Sequence, residues 1–164
     1  WKITTSGEIA SKRTMTEVVF YHLIRKPLEK ALPELLEKSY ERGWRVVVQA
    51  ASDERVDALD AHLWTYNDAN FLPHGTARDN DAALHPILLT TAEHNPNSAT
   101  VRFLIDSVPM PPDAAAYDRI VLMFDGEDED AVAVARERWT EAKAQGFAVA
   151  YWQPDEQGRW VKKA

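Results

Sequence analysis

Apolar and polar positions along the chain fall into blocks whose period alternates between strand-like and helix-like. Glu17–Leu23 (EVVFYHL) is a β-branched and aromatic run of the kind that fills a buried strand. Arg25, Lys26 and Pro27 end it. Leu28, Ala31, Leu32, Leu35, Leu36 and Tyr40 then recur at spacings of three and four up to Gly43. That spacing predicts a helix with Pro27 in its first turn and Pro33 as a kink or as its true beginning. Residues 44–50 (WRVVVQA) form the next strand, and Ser52 and Asp53 are cap candidates for a second helix with Val56, Leu59, Leu63 and Trp64 on its apolar face. Strand, helix, strand, helix is the pattern of a parallel sheet with crossover helices.

Residues 66–85 are irregular, with Phe71 a lone aromatic before Pro73 and His74, and residues 86–91 return to strand character. Residues 92–97 are a polar turn, and residues 101–105 continue the sheet or make a short edge. A stiff loop carrying Pro109, Pro111 and Pro112 leads to a buried strand at residues 117–124 (YDRIVLMF). Residues 147–152 (FAVAYW) are the last strand expected, followed by a turn at residues 154–158 and the basic, aromatic end RWVKKA. The fold class this order predicts is α/β: one three-layer domain over residues 15–164, with a mostly parallel central sheet and helices on both faces.

The most informative block is residues 125–147 (DGEDEDAVAVARERWTEAKAQGF). Carboxylates at Asp125, Glu127, Asp128 and Asp130 crowd its start, where they accept from free amides and oppose the helix dipole, and Gly146 stands where a left-handed residue ends a helix. At about 100° per residue, Val132, Arg136, Trp139 and Lys143 share one stripe, two cations around a large aromatic. Ala131, Ala135 and Ala142 beside it let the helix approach a sheet closely. A half-buried tryptophan with cations extended past it gives the same stripe, and so does a pocket for an acidic, aromatic-containing peptide.

Composition narrows the function. The chain has 164 residues, 45% apolar and 27% charged, which suits one soluble domain, and it has no cysteine, which excludes disulfides, thiolate metal sites and cysteine nucleophiles. The sequence contains no membrane span and no export signal, so a cytoplasmic setting is expected. Residues 1–14 (WKITTSGEIASKRT) lack an apolar period and read as a tag or disordered extension. A formal charge of -7 opposes direct binding of nucleic acid through Trp64, Trp139 and Trp152, unless the basic residues gather on one face.

Recognisable catalytic chemistry is absent from the sequence. Neither G-x-x-x-x-G-K-[ST] nor G-x-G-x-x-G follows any strand, so no phosphate cradle is expected, and no serine occupies a G-x-S-x-G elbow. The five histidines (His22, His62, His74, His85, His94) show no metal spacing, and the consecutive carboxylates near Asp128 point in different directions. No metal and no cofactor are expected. A diverged nucleotide-dependent enzyme or nuclease on the same fold is the alternative.

Leu63-Trp64, Phe71-Leu72-Pro73-His74, Pro86-Ile87-Leu88-Leu89, Ala135-Arg136-Glu137-Arg138-Trp139 and Gly146-Phe147 occur in an order and spacing that resemble the chi subunit of bacterial DNA polymerase III holoenzyme. The resemblance extends over nearly the whole chain from Met15. It implies a Rossmann/P-loop-like domain without the phosphate loop, acting as an adaptor at the clamp loader with nucleic acid met only indirectly. One surface would bind the acidic C-terminal tail of single-stranded DNA-binding protein, which ends in Pro-Phe. Arg136 matches the family arginine that contacts the tail, Trp139 matches an aromatic of the same pocket, and Gly146 and Phe147 follow at the matching turn. Val132 departs from the pattern, standing where the family has a lysine, and Lys143 restores a charge one turn after Trp139. On a second surface Trp64 and Phe71 match the aromatic pair that meets the psi subunit; the alternatives for these residues are a helicase, another clamp-loader subunit or a place in the core.

Overall fold

The computed structural model describes residues 15–67, 69 and 71–164. The expectation for residues 1–14 lies outside them. Strands β1 (Glu17–Leu23), β2 (Val46–Gln49), β3 (Gly75–Thr76), β4 (Ile87–Thr90), β5 (Val101–Leu104), β6 (Arg119–Asp125), β7 (Ala148–Pro154) and β8 (Trp160–Lys162) form one sheet in the order β3-β4-β2-β5-β6-β1-β7-β8. Every pairing is parallel except β7 with β8. Helices α1 (Leu28–Glu41) and α2 (Asp53–Thr65) cover one face, burying Leu32, Leu36, Val56 and Leu59 on Val46, Val48, Phe103 and Val121. Helix α3 (Glu129–Ala144) covers the other through Ala135 and Ala142, over Val18, Phe20, Ile120 and Leu122. The α/β architecture with helices on both faces is therefore the one observed.

Alternation along the strands decides which side chains each layer receives. On β1, Val19 and Tyr21 face the side of α1, while Phe20 and His22 face α3; on β7, Trp152 joins the first set and Tyr151 the second.

Helix ends are built from local hydrogen bonds. Asp128 caps α3 by accepting from the amides of Asp130 (3.0 Å) and Ala131 (3.3 Å), so the helix begins within the acidic cluster, at Glu129, rather than at Asp125. At its other end, the Phe147 amide donates to the Ala142 carbonyl and Gly146, at φ +85°, donates to Lys143. This double closure requires a left-handed residue, and it turns Phe147 back into the core beside Ala142. Gly43 and Trp44 end α1 in the same way, with donors to Tyr40 and Ser39.

Pro33 lies inside α1, where the ring leaves the carbonyl one turn earlier without its amide partner. His62 of α2 fills the gap: its Nε2 lies 2.6 Å from the Glu29 carbonyl oxygen. Pro27 precedes the helix in extended conformation rather than forming its first turn. Of the two readings of residues 101–105, continuation of the sheet is the one observed, with β5 between β2 and β6. Two further expectations change: β7 is followed by the antiparallel β8, and Trp64 is 56% exposed, leaving Val56, Leu59 and Leu63 as the packed face of α2.

Candidate functional site

Where α3 crosses β6, β1 and β7, the chain forms an open cup of about 440 Å³. Phe20 and His22 of β1, Phe124 of β6 and Tyr151 of β7 supply the sheet side. Val132, Ala135, Arg136, Trp139 and Thr140 supply the helix side. The walls are aromatic: Trp139 meets Phe20 edge-on with ring centres 5.3 Å apart and Tyr151 at 6.1 Å, and His22 lies 4.9 Å from Phe124. Ala135, buried and small, lets the helix sit close enough for these contacts. Such a cup takes an apolar or aromatic group of modest size.

Charge at the cup is concentrated on Arg136. Among the described residues it forms no ion pair with any carboxylate. Burial pushes the Tyr151 phenol above its ordinary range, with the Arg136 charge opposing that shift. Burial also lowers the His22 imidazole, against a hydrogen bond to the Gly126 backbone and the charge of Asp125. His22 Nδ1 is hydrogen-bonded to the Tyr151 hydroxyl, so these two polar groups satisfy one another and leave the guanidinium as the group that seeks a partner.

Gly126 is part of this construction. A Cβ there would overlap the His22 ring and approach the Leu23 carbonyl oxygen to 2.8 Å. Gly126→Ala should therefore displace His22, disturb Tyr151 and lower stability by about 1–3 kcal/mol, as overpacking does. Urea denaturation checks this, and a variant as stable as the parent would show that the ring has room to move.

The structure brings Val132, Arg136 and Trp139 together in the cup. Lys143 stands beside it, its Nζ 5.9 Å from the centre of the Trp139 ring. Gly146 and Phe147 form the closing turn of α3. Phe20, His22, Phe124 and Tyr151 were not singled out by sequence reasoning. Each belongs to a strand read as uniformly buried, and only the register of β6, β1 and β7 sets them side by side.

Trp64 and Phe71 form a separate patch. Their ring centres are 5.3 Å apart and they are 56% and 65% exposed, whereas neighbouring Val56, Leu59 and Leu63 are buried. His74 supports them from below: its ring centre lies 4.9 Å from that of Trp64, and Nε2 sits 3.1 Å from Asp60. His74 and His85 do not meet. His85 instead places Nε2 3.3 Å from carboxylates of both Asp79 and Asp81, and these three residues are the set best arranged to hold a metal among those described.

A profile of the family described as DNA polymerase III chi subunit, HolC, matches residues 15–150. The chain belongs to this chi family. A protein of Rickettsia prowazekii (strain Madrid E), called probable DNA polymerase III subunit chi, is 33% identical over 91 residues, which are 56% of this chain and 55% of that relative. The chain thus aligns with about half the length of that relative. The stretch matched by the family profile, residues 15–150, takes in α3, the Trp64 and Phe71 patch and every residue of the cup except Tyr151, whereas β8 falls outside it. No described helix is long and apolar enough to cross a membrane.

Proposed function

We propose that this chi-family protein is a non-catalytic adaptor of the replicative clamp-loader complex, holding the acidic C-terminal tail of single-stranded DNA-binding protein and linking it to the polymerase holoenzyme in the cytoplasm. The observation that carries this reading is the aromatic cup with the Arg136 guanidinium, unpaired among the described residues, at its side. A C-terminal phenylalanine presents two groups about one residue apart, a ring and a carboxylate. The cup matches the first through Phe20, Phe124 and Trp139, and Arg136 matches the second with a charge-assisted, bidentate hydrogen bond. Lys143 lies further along the helix, where acidic residues preceding the Phe would pass. The exposed Trp64 and Phe71 pair forms the second docking surface, for psi or a substitute clamp-loader or helicase partner.

Nucleotide chemistry fits this site class less well. The crevice at the carboxyl ends of β1 and β6, where such folds hold phosphates, sets Glu29, Asp106, Asp125, Glu127 and Asp128 against three cations, Arg25, Lys26 and Arg55. Asp128 already accepts from the first free amides of α3, and Arg55 is held between Glu29 (3.1 Å) and Asp106 (3.2 Å). A phosphate would displace one carboxylate and face the others.

The test is a fluorescence titration with a labelled peptide ending in an acidic run and Pro-Phe. Micromolar binding, about -8 kcal/mol, is expected, weakening with salt. A peptide without the final Phe should bind more than about tenfold less well, since it loses the ring that fills the cup. Equal binding of both peptides would refute the cup as the site of recognition.

A further inference from the structure

On the opposite face of the same strands lies a second concavity, about 610 Å³, between α1 and the β7-β8 hairpin. Its charge is unlike that of the rest of the chain. Five cations (Lys38, Arg42, Arg119, Arg159, Lys162) line it against two carboxylates, Glu17 and Glu34, in a protein of formal charge -7. Both carboxylates are engaged, Glu17 with Arg119 at 2.9 Å and Glu34 with Lys26 at 2.7 Å. Among the described residues Lys38, Arg42 and Lys162 form no ion pair.

Aromatic rings are interleaved with these charges. Tyr21 stacks on Trp152 with ring centres 6.4 Å apart, and Trp160 meets Tyr21 edge-on at 4.9 Å. Tyr21 and Trp152 are register partners on β1 and β7, and Lys162 is the partner of Trp152 on β8, so ring, ring and cation form a row across three strands. Trp44, fixed by the closing turn of α1, carries the Arg42 and Arg119 guanidinium groups, each 4.9 Å from its ring centre. The Trp160 indole N–H is buried and has no acceptor among the described residues.

We infer that this groove binds single-stranded DNA directly, with Tyr21, Trp152 and Trp160 offering stacking surfaces and Lys38, Arg42 and Lys162 meeting the phosphates. Stacking on any base, along a track of cations, is how proteins hold single strands without reading sequence. An acidic protein segment would use the cations and leave the rings idle. A duplex, whose bases are already stacked, would do the same. The unpartnered indole donor adds a site for a phosphate or base oxygen. The site is distinct from the tail cup: Tyr151 and Trp152 are consecutive on β7 and project to opposite faces, so both could be occupied at once.

Fluorescence anisotropy of labelled oligo(dT) with the full chain tests the inference. Saturable binding at low salt is expected, with log K falling against log salt at a slope of about -2 for three phosphates neutralised. Arg42→Glu, at an exposed position, should weaken binding about tenfold or more, and Trp152→Ala by about 5- to 100-fold. Arg78→Glu, an equal charge change beside β3, should leave it unchanged. No binding at about 100 µM protein would overturn the inference, as would binding insensitive to both groove variants. Polyglutamate bound as tightly as oligo(dT) would instead identify an acidic protein segment as the occupant. A duplex bound as tightly would reduce the groove to unspecific charge attraction, and either result would sink the proposal.

Discussion

Arg102→Met will lower the stability of the domain by about 3–5 kcal/mol, a large share of the roughly 5–15 kcal/mol of a typical domain. Arg102 is fully buried on β5, in the middle of the sheet, with no carboxylate among its partners. Its guanidinium is satisfied by neutral acceptors alone. Nε and Nη2 donate to Gln49 Oε1 at 3.2 and 2.6 Å, Nη2 to the Ala92 carbonyl at 2.5 Å, and Nη1 to the His94 carbonyl and the Tyr117 hydroxyl, both at 3.0 Å. Burying a cation is costly, and methionine would remove that cost while keeping much of the volume. It would also strand four polar groups at once, and each unsatisfied group costs about 1–3 kcal/mol. The second effect wins because Gln49 on β2 and Tyr117 before β6 are buried, so their oxygens cannot turn to water, and the loop at Ala92 and His94 loses two side-chain anchors. On the α3 side of the sheet Arg102 holds residues 92–94 and Tyr117 against β5. Urea denaturation decides the matter through the midpoint at an unchanged slope. A loss below about 1 kcal/mol would mean that desolvation of the charge nearly cancels its hydrogen bonds. Arg102→Lys should recover little, because one ammonium cannot reach acceptors spread around a planar fork.

The same residue shows where the sequence is hard to read. In VRFLI the arginine stands one position out of phase with valine and phenylalanine, the alternation of a half-exposed strand, so residues 101–105 look suited to an edge. Burial of the cation depends on Gln49, Ala92, His94 and Tyr117, which come from three separate segments and carry no local signal. Helical features were legible because their cause is local. The stripe of Val132, Arg136 and Trp139 follows from the period of α3, and the cap at Asp128 and the turn at Gly146 from residue types that favour those positions. The sheet half of the cup was not legible. Phe20, His22, Phe124 and Tyr151 sit in runs that are apolar on both faces, and the choice of face requires strand order. Strands β3 and β8 are two and three residues long, too short for a period to declare itself. The gathering of cations on the α1 face had a similar origin: Arg42, Arg119 and Lys162 are far apart in sequence and meet only through register and a helix end.

If the tail of single-stranded DNA-binding protein docks as proposed, Arg136→Ala will weaken the Pro-Phe peptide by about 1.5–3 kcal/mol, roughly 10- to 150-fold. The side chain is exposed and forms no ion pair among the described residues, so its loss should leave stability within about 0.5 kcal/mol of the parent and isolate the effect on binding. A terminal carboxylate offers two oxygens to the guanidinium, and a cup with aromatic walls excludes water from one side of that contact, which strengthens it relative to a free surface pair. Lys143→Ala removes a more distant, flexible cation and should cost below about 1 kcal/mol. Arg136→Lys keeps the charge but not the fork, and should fall between the alanine variant and the parent. This order of the three variants carries the argument further than any one value. Long-range attraction alone would make Arg136→Lys equal to the parent and bring the two alanine variants close together. Val132 is the reason that Arg136 should dominate. With an apolar residue at position 132, the helix offers no second cation one turn earlier to share the carboxylate. A change below about twofold for Arg136→Ala, with the peptide still bound, would place the tail elsewhere on the molecule.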